Sequence, residues 1–288
     1  MKILILGGNR FVGKLLAEKL IEKNEIVTVF NRKGTGPDGC RIIPGDRNKI
    51  EDLEKIKLET YDCIVDMCLY LPNQFKLMEP LLDKDVPYIF ISSGAAYKDT
   101  DIWPIDENHK IKGMEVFGNY GKEKADVEKL LKQSNLEYYK ILRPTYIVGE
   151  KNHNPRLGHY IKAIKDNIPI EVAGNDDNII NLVFAEDVIN CITSIIYNDP
   201  YLNTYSPIEY NVSSDEFLTV NSLIKIIASE LNSKSKYPKI NYNSSKAILP
   251  YTHYGVFSNE NIKIHYNIKF KKLKESLPSY IDWYTKNN

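Results

Sequence analysis

Three side chains in this sequence carry groups suited to moving a proton at one site: the Ser93 hydroxyl, the Tyr120 phenol and the Lys124 ammonium. Tyr120 and Lys124 have the Y-x-x-x-K spacing, and on a helix residues four apart share a face. Ser93 closes an apolar run, Tyr88–Ser92, that reads as a strand. Ligands of open α/β sheets bind at such C-terminal strand ends. The residue types match chemistry at a carbinol or ketone carbon. A phenol has an ordinary pKa near ~10, and bringing it to ~7 takes on the order of 4 kcal/mol of differential stabilisation. A neighbouring ammonium supplies part of that. Ser93 would hold the reacting oxygen and Tyr120 would pass the proton. The same spacing also fits an ordinary inner stripe of Tyr120, Lys124, Val127 and Leu131.

A partner for that chemistry is written at the N-terminus. Gly7-Gly8-Asn9-Arg10-Phe11-Val12-Gly13 follows a strand and opens a helix, the context a dinucleotide-binding turn requires. Glycines allow positive φ and close approach of backbone N–H groups to a pyrophosphate, which the helix N-terminus then faces. Gly7, Asn9, Arg10, Phe11, Val12 and Gly13 are therefore expected to bind a nicotinamide dinucleotide, with Lys124 also reaching its ribose. Gly8 to Lys14 imitates a phosphate-binding P-loop, but Leu15 stands where that loop needs a magnesium-binding hydroxyl. NAD binders usually end the second strand on an acid. Here Phe30-Asn31-Arg32-Lys33 offers cations instead, so Arg32 beside Asn31 is expected to meet a 2′-phosphate, favouring NADP with NAD still possible. Alternatively, Arg32 stacks flat on the adenine.

The elements that must position these groups alternate. Ile3–Leu6, Ile26–Phe30, Arg41–Ile43, Cys63–Cys68, Tyr88–Ser92 and Tyr138–Leu142 read as strands, mostly without period-2 alternation, as in a parallel sheet covered on both faces. Helical patterns fall between them at Val12–Lys23, Lys49–Ile56, Gln74–Leu82 and Tyr120–Lys132. This predicts an α/β fold, a doubly wound parallel sheet of Rossmann type, over residues 1–150. Residues 151–288 are expected to form mainly a smaller substrate-binding domain, with the chain returning to the first domain around 179–212. There Ile179–Phe184 and Glu209–Val212 read as strands, and Leu157–Ile168, Asp187–Tyr197 and Val220–Leu231 as helices. Loops are expected at Lys151–Pro155 and at Gly174–Asp177. Beyond Leu231 the pattern is weak.

The 288 residues carry 38 Lys plus Arg against 38 Asp plus Glu, and 43% are hydrophobic. A neutral chain with ordinary composition gives no support for bulk nucleic-acid or membrane binding. No stretch approaches the ~20 apolar residues of a membrane span, and a cytoplasmic location is expected. The four cysteines lack a CxxC pair and read as free thiols; no metal site is expected.

Gly7–Gly13, Gly45-Asp46, Ser92-Ser93 with Tyr97, Tyr120 with Lys124, and Arg143-Pro144 occur in the order found in the extended short-chain dehydrogenase/reductase superfamily. The chain resembles its NAD-dependent epimerase/dehydratase branch, well over about residues 1–150 and more weakly through Val183–Val188 and the Trp283 tail. The resemblance implies that Asp46, with Arg47 beside it, meets the adenine end of the cofactor, that Ser93, Tyr120 and Lys124 are catalytic, and that the C-terminal third binds a small-molecule substrate, a nucleotide sugar. Two positions depart from the sugar-nucleotide pattern: Ile180 stands where an arginine commonly clamps the diphosphate, and Phe184 replaces a histidine. Arg156, His159 and Lys162 lie near enough in sequence to substitute, or else form a solvated helix face. No acid pair follows Ser93, which is followed by Gly94-Ala95, so dehydration is disfavoured. The expected activity is that of a 4-keto-sugar reductase or an epimerase, with the NADP reading tipping it to the reductase. The alternatives are a reductase of a small ketone that is not a nucleotide sugar and a non-catalytic cofactor-binding sensor or RNA-associated protein. A homodimer is expected from the apolar excess Phe75, Leu77, Met78, Leu81 and Leu82.

Overall fold

The structure, a computed structural model, describes residues 1–152, 156–175, 178–198, 209–231, 239–247 and 255–287. Its strands are β1 (Lys2–Leu6), β2 (Ile26–Asn31), β3 (Arg41–Pro44), β4 (Cys63–Asp66), β5 (Tyr88–Ile91), β6 (Tyr139–Pro144), β7 (Tyr146–Val148), β8 (Ile170–Glu171), β9 (Ile179–Phe184), β10 (Glu209–Val212), β11 (Phe217–Thr219) and β12 (Ile240–Asn241). Its helices are α1 (Phe11–Glu22), α2 (Ile50–Leu53), α3 (Pro72–Met78), α4 (Asn119–Gln133), α5 (Arg156–Lys165), α6 (Ala185–Asn198), α7 (Val220–Glu230), α8 (Glu260–Tyr266) and α9 (Leu273–Asn287). Seven strands form one sheet in the order β10-β6-β5-β4-β1-β2-β3, every neighbouring pair parallel. This is the doubly wound Rossmann arrangement. Strand order reverses at β1, where β4 lies on one side and β2 on the other, and a crevice opens outside the strand ends at such a point.

The unbroken apolar runs follow from burial on both faces. Alternate β1 residues go to opposite cores: Ile3 and Ile5 pack with Val27, Val29, α1 and α6, whereas Leu4 and Leu6 pack with Phe30, Phe75, Phe90 and α4. Pro72 opens α3 at a position where a missing N–H costs nothing. The apolar pattern expected over Gln74–Leu82 leaves α-geometry at Glu79, becoming a 3₁₀ turn that contains Pro80. Likewise the Lys49–Ile56 pattern becomes α2 followed by the 3₁₀ turn Glu54–Leu58. Phe75 and Met78 are buried, and Leu77, Leu81 and Leu82 pack against the same core. Of the residues behind the expected homodimer, Phe75 and Met78 are thus core, while Leu77, Leu81 and Leu82 stay partly exposed.

A second core is built mainly from later elements, with Tyr97, Ile105, Met114 and β7 contributing from earlier in the chain. The sheet β11-β9-β7 and helices α5, α7 and α9 enclose a separate core that includes Tyr160, Ile164, Leu182, Leu223 and Leu277. Between the elements of this core the chain returns to the main layer: α6 packs on α1, and β10 pairs with β6. His153–Pro155, Asp176-Asp177 and the side chain of Arg156 lie outside the described residues. No helix among the described residues is long and apolar enough to cross a membrane. The four cysteines are free.

Candidate active site

The turn after β1 is shaped by its glycines. Gly7 has φ +94°, and a Cβ there would lie 2.9 Å from the Cys68 Cβ. A Cβ on Gly13 would come within 2.6 Å of the Gly7 carbonyl oxygen, so only glycine lets α1 start this close to the turn. Arg10, which takes the place of a further glycine, has φ −141° and ψ 147°, extended backbone open to any residue. Arg10 is the N-cap of α1, yet no side chain caps the helix and its first turn holds no acid. These uncapped N–H groups suit an anion.

Opposite the turn, across β2 and β3, Arg32 and Lys33 stand exposed. Like Arg10, neither enters an ion pair among the described residues. The Asn31 amide is committed locally: its oxygen accepts from the N–H groups of Lys33 (3.1 Å) and Thr35 (3.5 Å), and its nitrogen donates to the Thr35 carbonyl (2.8 Å). Asp46 accepts from the backbone and side chain of Asn48, and the backbone hydrogen bond above all holds its carboxyl below the usual range. Arg47 lies deeper. Its guanidinium makes a two-pronged pair with Asp66 at 2.9 and 2.8 Å, and Tyr88 Oη donates to the same carboxylate at 2.6 Å. Burial opposes the Asp66 charge, but Arg47 and these hydrogen bonds hold its carboxyl below the ordinary value.

Ser93, Tyr120 and Lys124 gather at the ends of β4 and β5. Ser93 caps the 3₁₀ turn Gly94–Ala96, its Oγ accepting from the Ala95 N–H at 3.1 Å. Gly121 lets α4 pass against that turn, since a Cβ there would sit 2.6 Å from the Ala95 oxygen. As the spacing predicts, Tyr120 and Lys124 share a face of α4. Tyr120 is half-exposed, with its ring 6.4 Å from that of Tyr70. Lys124 is buried, and Nζ donates to the carbonyls of Leu69 and Ile91 at 2.8 Å each. Its ammonium also lies over the rings of Tyr70 and Phe90, 4.9 and 4.8 Å from their centroids. Burial, with help from Arg47, pulls the Lys124 pKa down to about 8 against the opposing pull of Asp66. A lysine held this low is an ammonium below that pH and an amine above it. If its charge assists Tyr120, kcat/KM, which reports the free enzyme, falls above a limb near pH 8, by about tenfold per pH unit. A profile flat from pH 7 to 10 would separate the Lys124 charge from turnover.

Beneath the trio lies a buried polar network. Glu128, one turn beyond Lys124 on α4, accepts from Arg143 Nη2 at 2.7 Å and from Ser92 Oγ at 2.5 Å. Arg143 Nη1 donates to Tyr97 Oη at 2.8 Å, and Tyr97 donates to Asn211 at 2.7 Å. The network ties α4, β6, β10 and the end of β5 into one frame.

All the residues expected from the sequence line a single cleft of about 790 Å³: Gly7, Asn9, Arg10, Phe11, Val12, Gly13, Asn31, Arg32, Asp46, Arg47, Ser93, Tyr120 and Lys124. The lining also includes Met67, Cys68, Tyr70, Phe117, Thr145 and Tyr146, which no motif marks. Ile180 and Phe184 are buried in the smaller core, and His159 and Lys162 are exposed on α5 outside this lining.

Fold and cleft together define a doubly wound α/β protein with an open cleft at its strand ends. Residues 71–212 match the profile of the NAD dependent epimerase/dehydratase family. The chain is 27% identical over 263 residues to a candidate UDP-glucose 4-epimerase of Methanocaldococcus jannaschii, covering 80% of this chain and 82% of that protein. It is 26% identical over 248 residues to the chloroplast stem-loop binding protein of 41 kDa b of Arabidopsis thaliana, with 79% of this chain aligned but only 62% of the length of that relative. In fold it is similar to the dTDP-glucose 4,6-dehydratase of Bacillus anthracis solved in complex with NAD, with a TM-score of 0.83, 15% identity, and coverage of 100% of this chain and 97% of that one.

Proposed function

We propose that this protein is an NADPH-dependent reductase of a keto group on a nucleotide-activated sugar. The reading rests on one observation: the glycine turn, the unpaired cations and the trio Ser93, Tyr120 and Lys124 share one cleft at the point where strand order reverses. The residues fit a dinucleotide. The uncapped start of α1 suits a pyrophosphate, and Arg32 with Lys33 suits a 2′-phosphate where an acid for a 2′-hydroxyl is missing. Lys124 would hold the nicotinamide ribose. When bound, the reduced nicotinamide supplies a hydride. The chain's own groups do the rest. Ser93 Oγ hydrogen-bonds the ketone oxygen, Tyr120 Oη delivers the proton to that oxygen, and the Lys124 charge stabilises the phenolate left behind. Expelling water would need a further acid and base. Among the described residues the one carboxylate lining the cleft is Asp46, at the β3 end, away from the trio.

A second reading, an epimerase that ends each cycle with its cofactor unchanged, is supported by the similarity to the archaeal relative. The buried Ile180, at the position where an arginine commonly clamps the diphosphate, weighs against a nucleotide-sugar substrate in either reading and does not separate the two. Stoichiometry separates the two. A reductase consumes one reduced cofactor per product; interconversion without net change in absorbance of the reduced nicotinamide would replace it with the epimerase. In the same assay Arg32→Ala is expected to weaken NADPH by about tenfold or more and NADH little, since a charge-assisted contact is worth roughly 1.5–3 kcal/mol. Equal losses would favour Arg32 stacking on the adenine.

A further inference from the structure

Lys124 lines the cleft yet is only 2% exposed, so other groups cover its ammonium. Two rings do this: Phe90 on β5 and Tyr70 in the loop after β4, their centroids 4.8 and 4.9 Å from Nζ. Phe90 is wholly buried in the core below. Tyr70 is 47% exposed and lines the cleft, so it is the ring on the solvent side. The same ring lies 6.4 Å from that of Tyr120. The loop that carries it is held on both flanks. The Leu69 carbonyl accepts from Lys124 Nζ at 2.8 Å, and the Gln74 side-chain oxygen accepts from the N–H groups of Tyr70 and Leu71 at 3.1 Å each. Gln74 is buried and donates in turn to Asn48 at 3.1 Å. A ring left half in water gains little from its own burial. Its effect falls on the charge beneath it. The other charged or titratable groups facing Lys124 are Asp66 at the end of β4, Arg47 after β3, Cys68 beside Leu69, and Glu128 on α4. Asp66 is paired with Arg47, and Glu128 with Arg143, so neither carboxylate is left to neutralise Lys124.

We propose that Tyr70 is a positioning residue that acts through Lys124: its ring keeps water off the ammonium, so that the charge acts on Tyr120 and not on solvent. The reason is dielectric, since a charge interacts several-fold more strongly with its neighbours where water is excluded. The phenolate that Tyr120 becomes on giving up its proton is stabilised through that field. This rests on the oxidoreductase reading and adds to it a residue that need not touch the reacting atoms.

The test uses the full chain with Tyr70→Phe, Tyr70→Leu and Tyr70→Ala. Trace acetylation with acetic anhydride, read on the Lys124 peptide by mass spectrometry, gives the pH at which that amine appears. In the native protein the inflection is expected near pH 8. Tyr70→Leu and Tyr70→Ala admit water, which favours the ammonium. Losing the attraction of the ring acts the other way, but burial is the largest influence on this lysine, so the inflection rises, by about one pH unit. Tyr70→Phe keeps the ring and matches the native protein. Oxidation of NADPH with a UDP-4-keto-hexose as probe is followed in parallel. At pH 7, Tyr70→Leu is expected to lower kcat by about three- to tenfold with NADPH affinity nearly unchanged, and Tyr70→Phe to restore it. Tm stays near native in Tyr70→Leu, which fills part of the ring's space, so the result does not depend on Tyr70→Ala folding. The proposal is overturned if the inflection stays or falls in Tyr70→Leu, if Tyr70→Phe shifts as far, or if the inflection rises while kcat stays native. If the native protein binds neither NADPH nor NADH, the oxidoreductase reading itself fails, and the labelling alone still decides whether Tyr70 covers Lys124.

Discussion

Tyr120→Phe lowers turnover by about 10²–10⁴-fold, the usual contribution of a positioned general acid or base. The ring keeps its place on α4 opposite Tyr70, and Lys124 keeps its two carbonyl partners, so cofactor binding and thermal stability stay near those of the native protein. The measurement is steady-state kcat alongside a cofactor titration. Phenylalanine removes one hydroxyl and nothing else, so a loss confined to kcat isolates proton transfer. Turnover within a few-fold of native would remove Tyr120 from the chemistry and leave the Tyr120–Lys124 stripe as packing.

Glu128→Gln destabilises the fold by about 3–5 kcal/mol, the range found when one partner of a buried ion pair is removed. Arg143 is fully buried, and Glu128 holds it through both Nε and Nη2. A neutral amide leaves that guanidinium with only the more distant Glu209 carboxylate, 3.7 Å from Nη2, and cannot accept from Ser92 and Arg143 as the Glu128 carboxylate does. Denaturant unfolding should show a lower midpoint at unchanged slope. The folded fraction should also turn over more slowly, because Glu128 sits one turn from Lys124 and the network underlies Ser93. A midpoint shift corresponding to less than about 1 kcal/mol would mean that the pair contributes little beyond its own desolvation.

The main sheet was legible because both faces of each central strand are buried, which writes uninterrupted apolar runs into the sequence. The glycine turn and Tyr120 with Lys124 were legible because their geometry is local, set by a few consecutive residues or by one helical turn. The cleft's other features are not local. Arg47 meets Asp66, and Glu128 meets Arg143, only after the sheet has formed; the single hint is a charged residue closing an apolar strand, as Asp66 and Arg143 do. Tyr70 and Thr145 belong to no spacing rule. Around the second core, β7 and β11 have three residues each, too few for a period to show. The helix α9 carries Pro278 inside it, a residue that argues against a helix when read alone.

On the proposed NADPH reading, the closed hydrogen-bond loop around Asn31 bears on how a coenzyme preference could change. A common route to NAD is to place an acid at the end of the second strand. At position 31 an aspartate would find one oxygen already claimed by the amides of Lys33 and Thr35, and the other set against the Thr35 carbonyl, to which Asn31 donates and a carboxylate cannot. The new carboxylate would serve the bend instead of a ribose, and the bend would loosen. On that reading a change of coenzyme at position 31 would also disturb the bend, and the easier route runs through Arg32, whose side chain the bend does not use.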